Sequence, residues 1–314
     1  MRMFSILAIV VSLLSACTAK PGALSDNSSL VPDARVVMLQ SSAGRLYVAD
    51  ENYSDIMVYG PPFSAASKAL FSRGTPTGAQ TVAADSKYVA ASSYGIPYVD
   101  VYAQPLTRTS AVVARIPVPD GIGEQGEMAF DHTGNLWLGA GFSNRILEYK
   151  PPFSNASMPI HSISYFLEAA AFDGADRLYA IAPTKLTMFA PPYIGSGITI
   201  KVPGAMYLLG LAAFANELVV TVVTQTSYEL VFYRAPLTTA SKPNFIVPFF
   251  SDRIPTDPAF DAAGNLWVPW FPDTNPVPGG GGVLFYRAPL TRSSRPEFDI
   301  TTGINNAEQV VVSP

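Results

Sequence analysis

The sequence is poor in the residues that carry most metal-binding and catalytic chemistry. It contains one cysteine and two histidines among 314 residues. An internal disulfide and a multi-cysteine metal site are therefore excluded. Charged residues make up 14% of the chain, and no run is rich in lysine or arginine, which argues against nucleic acid as a partner. Hydrophobic residues make up 48%, which argues against disorder and predicts a large core.

The N-terminus has an apolar run that is too short for a membrane helix. Phe4–Leu14 has 11 residues, whereas a helix needs about 20 to cross a bilayer. Leu14-Ser15-Ala16-Cys17 follows and resembles the lipobox of a bacterial lipoprotein. The resemblance implies a signal peptide over residues 1–16, fatty acyl chains such as palmitate on Cys17, and a membrane-anchored place in the cell envelope. An ordinary secretory signal is the alternative. Thr18 after the cysteine implies outer-membrane sorting, facing the periplasm, if the host has two membranes.

Residues 17–33 are predicted to form a flexible linker between the lipid and a folded domain. They lack periodicity and are rich in Ser, Pro, Gly and Asp. Residues 34–314 are predicted to form one domain, because internal repeats extend over nearly all of this segment.

One phrase occurs six times in that domain: an aromatic residue, two residues, a proline, an apolar residue and a small polar tail. The copies begin at Tyr59, Tyr102, Tyr149, Phe189, Tyr233 and Tyr286. The intervals between them are 43, 47, 40, 44 and 53 residues. Strand-like repeats of this length indicate a β-propeller, and six copies predict six blades. We expect the phrases to be structural, with proline ending a strand and large side chains packing between blades; a binding motif is the alternative.

A second motif lies upstream of each phrase. Its best copies, Phe130–Leu138 and Phe260–Val268, place Asp-x-x-Gly-Asn between two apolar strands, which is typical of a hairpin. The Ala-Phe-Asp-x-x-Gly-Asn-Leu-Trp runs within and around them resemble six-bladed propellers of the NHL and SMP-30/gluconolactonase-like type. That resemblance implies an all-β fold of four-stranded antiparallel blades, but it assigns no activity. The strands predicted for blade three are Glu127–Asp131, Leu136–Ala140, Arg145–Tyr149 and Pro159–Ser164.

Two segments compete for the inner strand of blade one. Val36–Leu39 and Gln309–Val312 both look like inner strands, and Gly303–Gln309 parallels Gly121–Gln125. We expect the C-terminal strand to join blade one beside residues 36–39, which closes the ring and leaves no free inner edge. A truncated seventh blade is the alternative.

The loops that differ between repeats are predicted to carry the function. In a propeller the faithfully repeated turns lie on one face, and the variable loops lie on the other, where a rigid scaffold holds them. We expect a protein or small-molecule partner to dock on aromatic residues of these loops. The candidates are Tyr53, Phe142, Tyr228, Trp270 and Phe271.

The inner strands are predicted to place one side chain each at the channel mouth. These residues are Val37, Thr81, Glu127, Ala169, Leu211 and Asp257. Glu127 and Asp257, three blades apart, would face each other and could hold Ca²⁺ or another divalent ion. The SMP-30-like hydrolases also use asparagine ligands, which the other positions do not offer. Solvated carboxylates without a cofactor are therefore the favoured interpretation.

Nucleophilic and histidine catalysis find no support in the sequence. His132 falls in the repeated turn and His161 in an outer strand, whereas streptogramin-lyase-like propellers rely on a histidine at the mouth. No catalytic residue is assigned. The sequence therefore predicts a monomeric, lipid-anchored, non-catalytic binding or scaffold module. The alternative is a divalent-metal-dependent lactonase-like hydrolase, or a lyase, using Glu127 and Asp257.

Overall fold

The described part of the protein consists of β-sheets joined by turns and loops. A computed structural model describes residues 44–51, 54–76, 78–119, 127–140, 144–273 and 280–313. Within these ranges every secondary-structure element is a β-strand, and the strands form six sheets. The predicted all-β, six-bladed propeller of four-stranded antiparallel blades is confirmed. The predicted signal peptide, Cys17 and the linker lie outside the described residues.

The strands are numbered in chain order and grouped by blade. Blade one contains β1 (Leu46–Asp50), β2 (Asp55–Tyr59) and β3 (Phe71–Gly74). Blade two contains β4 (Thr81–Ala84), β5 (Tyr88–Ser92), β6 (Tyr98–Ala103) and β7 (Val112–Pro117). Blade three contains β8 (Met128–Phe130), β9 (Leu136–Ala140), β10 (Arg145–Tyr149) and β11 (His161–Ser164). Blade four contains β12 (Ala169–Phe172), β13 (Leu178–Ala182), β14 (Lys185–Phe189) and β15 (Ile198–Lys201). Blade five contains β16 (Tyr207–Phe214), β17 (Glu217–Val223), β18 (Tyr228–Arg234) and β19 (Phe245–Pro248). Blade six contains β20 (Arg253–Pro255), β21 (Ala259–Phe260), β22 (Leu266–Pro272), β23 (Gly282–Tyr286) and β24 (Phe298–Ile300). The last strand, β25 (Ala307–Val312), belongs to blade one.

The second strand of a blade is covered on both faces by its neighbours. Along β9, Leu136 and Leu138 pack into the core shared with blade two, while Trp137 packs into the core shared with blade four. Because successive side chains of a strand point to opposite faces, every residue of β9 is buried. The outer strand β11 alternates between half-buried or buried and exposed positions. A continuous apolar run therefore marks a middle strand, and an alternating run marks an outer one.

Asp131 organises the hairpin between β8 and β9. Its carboxylate accepts hydrogen bonds from the backbone N–H groups of Thr133 and Asn135, both at 2.9 Å, and from Nε1 of Trp137 at 3.0 Å. Gly134 adopts a φ of +84°, a region that strains residues with a side chain. Equivalent bonds recur in blade six. The Asp-x-x-Gly-Asn motif thus forms the hairpin that the sequence predicts.

The repeated phrase forms the turn between the third and outer strands. In five of the six copies, the serine at the end of the phrase accepts a hydrogen bond through Oγ from the backbone N–H three residues earlier. In blade three this bond joins Ser154 N to Ser157 Oγ at 2.9 Å. The copy in blade four has Gly197, with a φ of +68°, instead of the serine. Each copy contains one cis X-Pro bond.

The apolar residue of the phrase packs against the preceding blade. Phe63 of blade one lies 4.9 Å, between ring centroids, from Trp267 of blade six. Tyr193 of blade four lies 4.7 Å from Trp137 of blade three in the same way. Both pairs are edge-to-face, an arrangement that aromatic rings favour. The phrases are therefore structural in the described chain.

The C-terminal strand closes the ring, as predicted. β25 pairs antiparallel with β1, from Leu46 opposite Val312 to Asp50 opposite Ala307. Because β2 occupies the other edge of β1, β25 is the inner strand of blade one. The expectation that β25 would lie beside an inner strand at residues 36–39 concerns residues outside the described ranges. No truncated seventh blade is needed to account for β25.

Candidate functional site

The two ends of the propeller differ in how their loops are built. The repeat face carries the turns between the first and second strands and between the third and outer strands. The variable-loop face carries the loops between the second and third strands and the crossings between blades. Second-to-third loops range from two residues between β13 and β14 to nine residues between β22 and β23. Variable loops on rigid strands are a common place for binding residues.

Four polar side chains meet where the inner strands converge, and we call them the axial cluster: Thr81, Glu127, Asp257 and Gln309. All four are buried. The amide Nε2 of Gln309 donates to Oε2 of Glu127 at 2.9 Å and to Oδ2 of Asp257 at 2.6 Å. Oε1 of Gln309 accepts from the Thr81 hydroxyl and from the N–H of Val82, both at 2.7 Å. One amide therefore joins blades one, two, three and six.

Asp257 is positioned by contacts with two neighbouring blades. It lies between β20 and β21, where its backbone N–H donates to the carbonyl of Glu308 at 3.1 Å. Its Oδ1 accepts from the backbone N–H of Leu211 in blade five at 2.7 Å. Gly210 makes this approach feasible, because a Cβ there would lie 2.4 Å from the Cα of Asp257. Asp257 thereby links blade six to blades five and one.

The two carboxyl groups of the axial cluster share a hydrogen bond. Burial raises the pKa of Glu127 well above its ordinary value, and the carboxyl groups of Asp257, Glu308 and Glu168 raise it further. Burial also raises the pKa of Asp257, although hydrogen bonds from Glu127, the Leu211 N–H and Gln309 oppose this shift. The two pKa values are affected unequally, because neighbouring carboxyl groups add to the rise for Glu127, whereas hydrogen bonds oppose it for Asp257.

The residues of the axial cluster do not fit a metal ion in this arrangement. Within the described ranges, no group of three or more His, Cys, Asp or Glu side chains is placed to hold one. Glu127 and Asp257 both face an N–H donor of Gln309, where a cation would have to lie. Turning the amide over would set its NH₂ group against the N–H of Val82. The other mouth positions on described strands, Ala169 and Leu211, supply no side-chain ligand.

Gln309 is the residue that the sequence reasoning missed. Val37 was expected to hold the mouth position of blade one, but it lies outside the described residues, and Gln309 on the inner strand β25 makes the axial contacts. The signal was present in the sequence, since Gln309–Val312 resembles an inner strand. Assigning β25 the inner place would have added a glutamine amide between the two carboxyl groups.

A second acidic group lies beside the axial cluster, and we call Asp50, Glu51 and Glu308 the mouth carboxylates. The amide Nδ2 of Asn306 donates to Oε2 of Glu51 at 2.7 Å and to Oε1 of Glu308 at 3.0 Å. Burial raises the pKa of Glu308 to about 8, and the nearby Glu51 and Asp50 add to the rise. An amide again holds two carboxyl groups together, so the two acidic groups are built alike.

Three predicted docking aromatics lie within the described residues, and one of them is buried. Trp270 is 7% exposed and belongs to the core between blades five and six. Its Nε1 donates to Oδ1 of Asp299 at 3.0 Å, and the Arg253 guanidinium lies 4.0 Å above its ring. The expectation of an exposed anchor at Trp270 is wrong, because its ring fills the space between blades. Tyr228 and Phe271 are half-buried.

Tyr53 and Phe142 lie outside the described residues. The two histidines lie away from the axial cluster. His132 sits in the repeat-face turn, where its Nδ1 lies 2.8 Å from Oδ1 of Asp176. His161 begins the outer strand β11.

Comparisons with known proteins identify the fold. No protein-family model and no curated protein sequence matches the chain. A protein of unknown function from Bacteroides caccae is similar in structure, with a TM-score of 0.59 and 11% identity over 86% of this chain and 99% of that one. A 6-phosphogluconolactonase candidate from Bacteroides uniformis has a TM-score of 0.56 and 13% identity, over 85% of this chain and 83% of that one.

Virginiamycin B lyase from Staphylococcus aureus is also similar, with a TM-score of 0.50 and 13% identity over 81% of this chain and 84% of that one. At such identities the likeness concerns the fold alone. The NHL and SMP-30 resemblance of the sequence therefore stays a prediction.

Proposed function

We propose that this protein is a non-catalytic binding module that engages a partner through the variable-loop face. The observation that carries the proposal is the bonding of the axial cluster. Its polar groups serve one another: Gln309 bonds Thr81, Glu127 and Asp257, and Asp257 bonds blade five. These side chains thereby close the ring, and a substrate would find few unused groups at this point.

The distribution of the remaining reactive groups supports the same conclusion. A hydrolase or lyase needs a general base or nucleophile beside its substrate. His132 and His161 lie on the repeat face and on an outer strand. The loops of the variable-loop face differ in length and composition, as expected of a surface shaped for one partner.

The proposal is tested by site-specific photocrosslinking in the producing cells. A photoreactive residue at Thr226, exposed in the loop between β17 and β18, should form a discrete adduct. The same residue at Thr107, exposed on the repeat face, is the matched control. Adducts at Thr107 and none at Thr226 would refute a binding role for the variable-loop face.

A metal-dependent lactonase-like hydrolase, or a lyase, is the second candidate function. Two buried carboxyl groups from opposite blades, both with raised pKa values, are a combination that occurs at active sites. Metal binding there would require the Gln309 amide to leave both carboxyl groups. Ca²⁺ or Mn²⁺ at 100 times its Kd would then stabilise the fold by about 2.7 kcal/mol. A rise in melting temperature that Glu127→Gln abolishes would favour this candidate. No response to either ion would remove it.

We also propose that the protein is anchored in the bacterial cell envelope through lipid on Cys17. The proposal rests on the sequence around this cysteine. No helix of the described ranges has the length and apolarity needed to cross a bilayer. Cys17→Ser should release the protein from the membrane fraction. Unchanged fractionation of this variant would argue against acylation.

A further inference from the structure

Positive charge is concentrated in the six turns that join the third and outer strands on the repeat face. We call these turns, each counted as 12 residues from the aromatic of the repeated phrase, the phrase turns: residues 59–70, 102–113, 149–160, 189–200, 233–244 and 286–297. They contain eight of the 20 lysines and arginines of the chain and one of its 24 acids. All eight cations are exposed. The closed ring therefore gathers on one face charges that the sequence disperses.

Most of these cations have no counter-charge. Arg287 pairs with Glu297, and Arg234 lies opposite Glu217 in the neighbouring strand. The other six form no ion pair with a described residue. An anion that approached the phrase turns would therefore find cations that no carboxylate already holds.

The aspartates on the same face are used within their own hairpins. Three are buried and accept hydrogen bonds from the backbone of their own turns: Asp131, Asp173 and Asp261. Asp85 likewise accepts from the N–H of Lys87, and Asp176 faces the imidazole of His132. The exposed charge of the phrase turns themselves is positive.

The phrase turns also expose apolar side chains. Five of the eight large apolar side chains that the described residues expose belong to them, with exposed fractions from 51% to 79%: Leu70, Val113, Met158, Ile160 and Ile194. These five lie in blades one to four, whereas five of the eight cations lie in blades five and six. One face thus combines unpaired cations with exposed aliphatic groups.

Cations and apolar side chains occupy equivalent positions of the turns. The residue after the phrase serine is Lys68, Met158, Lys242 or Arg295 in four blades. The serine makes the same bond to a backbone N–H in each of these turns, so the four side chains leave turns of one kind. Equivalent turns of a closed ring of blades lie at a similar height. The phrase turns therefore present a broad surface and not a groove.

The described chain enters the propeller on this face. Gly44 lies just before β1, which begins at the repeat face, and Nη1 of Arg45 donates to the carbonyl of Leu106 in the phrase turn of blade two. The attachment point of an anchor at Cys17 is therefore on the same face as the phrase turns.

From this combination of charge, exposed apolar side chains and chain entry, we propose that the phrase turns bind the surface of a lipid bilayer that contains anionic head groups. The cations contact the head groups, and the five apolar side chains enter the interface. The variable-loop face then points away from the bilayer, towards its partner. A nucleic acid backbone shares the charge of such head groups, but it offers no apolar layer for these side chains.

The test places one fluorophore on either face of the full-length chain. Cys17→Ser removes the only cysteine, so a cysteine introduced by Ile194→Cys or by Met206→Cys can be labelled alone with an environment-sensitive dye. In vesicles of phosphatidylcholine with about 30% phosphatidylglycerol, the dye at position 194 should brighten and be quenched by brominated lipid. The dye at position 206, on the variable-loop face, should do neither. Salt raised from about 50 to about 500 mM should reverse the signal, because it screens exposed charges.

Co-sedimentation of the same chain with these vesicles measures single side chains. Lys68→Gln and Arg108→Gln should each weaken partitioning about fivefold. Ile160→Ser should weaken it about three- to tenfold. The matched controls on the variable-loop face, Lys185→Gln and Phe166→Ser, should leave partitioning unchanged.

The inference adds to the proposed anchor at Cys17 and does not require acylation. In cells, Cys17→Ser chains held by the phrase turns alone should leave the membrane fraction in about 0.5 M salt, whereas acylated chains should stay. Surface contact and acylation are thereby tested separately.

Several outcomes would overturn the inference. One is equal dye signals at positions 194 and 206, or no signal at position 194. Another is equal partitioning into vesicles with and without phosphatidylglycerol, or no effect of the repeat-face variants. Binding of a short DNA duplex that Lys68→Gln weakens and Ile160→Ser does not, without vesicle binding, would identify nucleic acid as the partner of this face instead.

Discussion

Two carboxyl groups, one at each face of this propeller, have pKa values shifted in opposite directions. On the repeat face, Asp173 sits in the hairpin between β12 and β13. Burial works to raise its pKa, but hydrogen bonds from Ala175, Tyr179 and Arg177 hold the value below its ordinary range. At the variable-loop face, burial and neighbouring carboxyl groups raise the pKa of Glu308 to about 8. Asp173 is thus a hydrogen-bonded anion, whereas Glu308 is one of three crowded acids.

This difference separates the parts of the sequence that maintain the scaffold from those that can vary. The repeat face uses the same serine-to-amide bond in five blades and the same aspartate-centred hairpin in its best copies. Each such turn satisfies its own backbone groups, so it does not depend on the loops at the other end. The variable-loop face can then carry unlike loops and retain acidic groups that cost stability.

The largest effect on the free energy of unfolding is expected at the axial cluster, whose hydrogen bonds join four blades. Gln309→Leu removes the amide that donates to both Glu127 and Asp257. The two buried carboxyl groups then lack this hydrogen-bond donor. We expect a loss of about 3–5 kcal/mol in the free energy of unfolding, measured in urea. Gln80→Leu is the control, since this amide serves Glu51 at the half-buried rim. Similar losses in the two variants would contradict a special role for the axis.

The next largest effect is expected on the repeat face. Asp131→Ala leaves two backbone N–H groups and the Trp137 indole without their acceptor, so we expect a loss of about 2–3 kcal/mol. Thr224→Ala removes a comparable cap from the variable-loop face, where Oγ1 accepts from Ser227 N at 3.0 Å. This loss should be about 0.5–1 kcal/mol. Thermal unfolding of both variants measures the contrast directly.

The pH dependence of stability should report the crowded acids. A carboxyl group whose pKa is raised in the folded state stabilises it at low pH, and this contribution is lost as pH rises. For Glu308 the loss runs from its ordinary value of 4.5 to about 8. Between pH 5 and 8 we expect the free energy of unfolding to fall by about 1–2 kcal/mol, and to fall less in Glu308→Gln.

Glu297→Gln is the matched control for the pH experiment. This carboxylate belongs to the repeat face and pairs with Arg287 at 2.8 Å. The variant should keep the wild-type slope between pH 5 and 8. If both variants reduced the pH dependence of the free energy of unfolding equally, this dependence would not arise from the mouth carboxylates. Asp173 acts in the opposite direction, with stability lost as pH falls below its ordinary pKa of 3.8.

The smallest effect is expected from a single turn of the repeated phrase. Ser294→Ala removes the oxygen that accepts from Thr291 N at 2.8 Å. We expect a loss of about 0.5–1 kcal/mol. The neighbouring Ser293→Ala removes only a bond between two exposed hydroxyls, at 3.1 Å. Its melting temperature should stay close to that of the wild type, and a larger change than in Ser294→Ala would speak against the proposed bond.

Most of the fold could be predicted because the determining interactions are local. The Asp-x-x-Gly-Asn hairpin and the aromatic-proline phrase recur in the sequence, and each makes its bonds within a few residues. The strands predicted for blade three therefore agree with β9 and β10 at both ends. Closure by the C-terminal strand followed from the resemblance of Gln309–Val312 to other inner strands.

The site was harder to predict because its contacts join distant parts of the chain. Gln309 and Glu127 are 182 positions apart, and their hydrogen bond depends on which strand takes the inner place in blade one. Trp270 was misjudged for a similar reason. Its position next to a long variable loop indicated exposure, but β22 extends as far as Pro272 and carries the ring into the core between two blades.

β1 pairs with β25, so the first described strand to be synthesised obtains its inner partner only when the last one has been made. β1 is the first described strand to leave the ribosome, yet its inner edge has no partner until residues 307–312 have been made. Throughout translation the growing chain therefore keeps an open sheet edge, which is prone to pairing with other chains. Gln309 arrives with the same strand, so the buried acids of blades three and six receive their shared donor only when the ring closes. A nascent chain interrupted before this point would lack both the edge strand and the axial amide, and it would be a substrate for proteases.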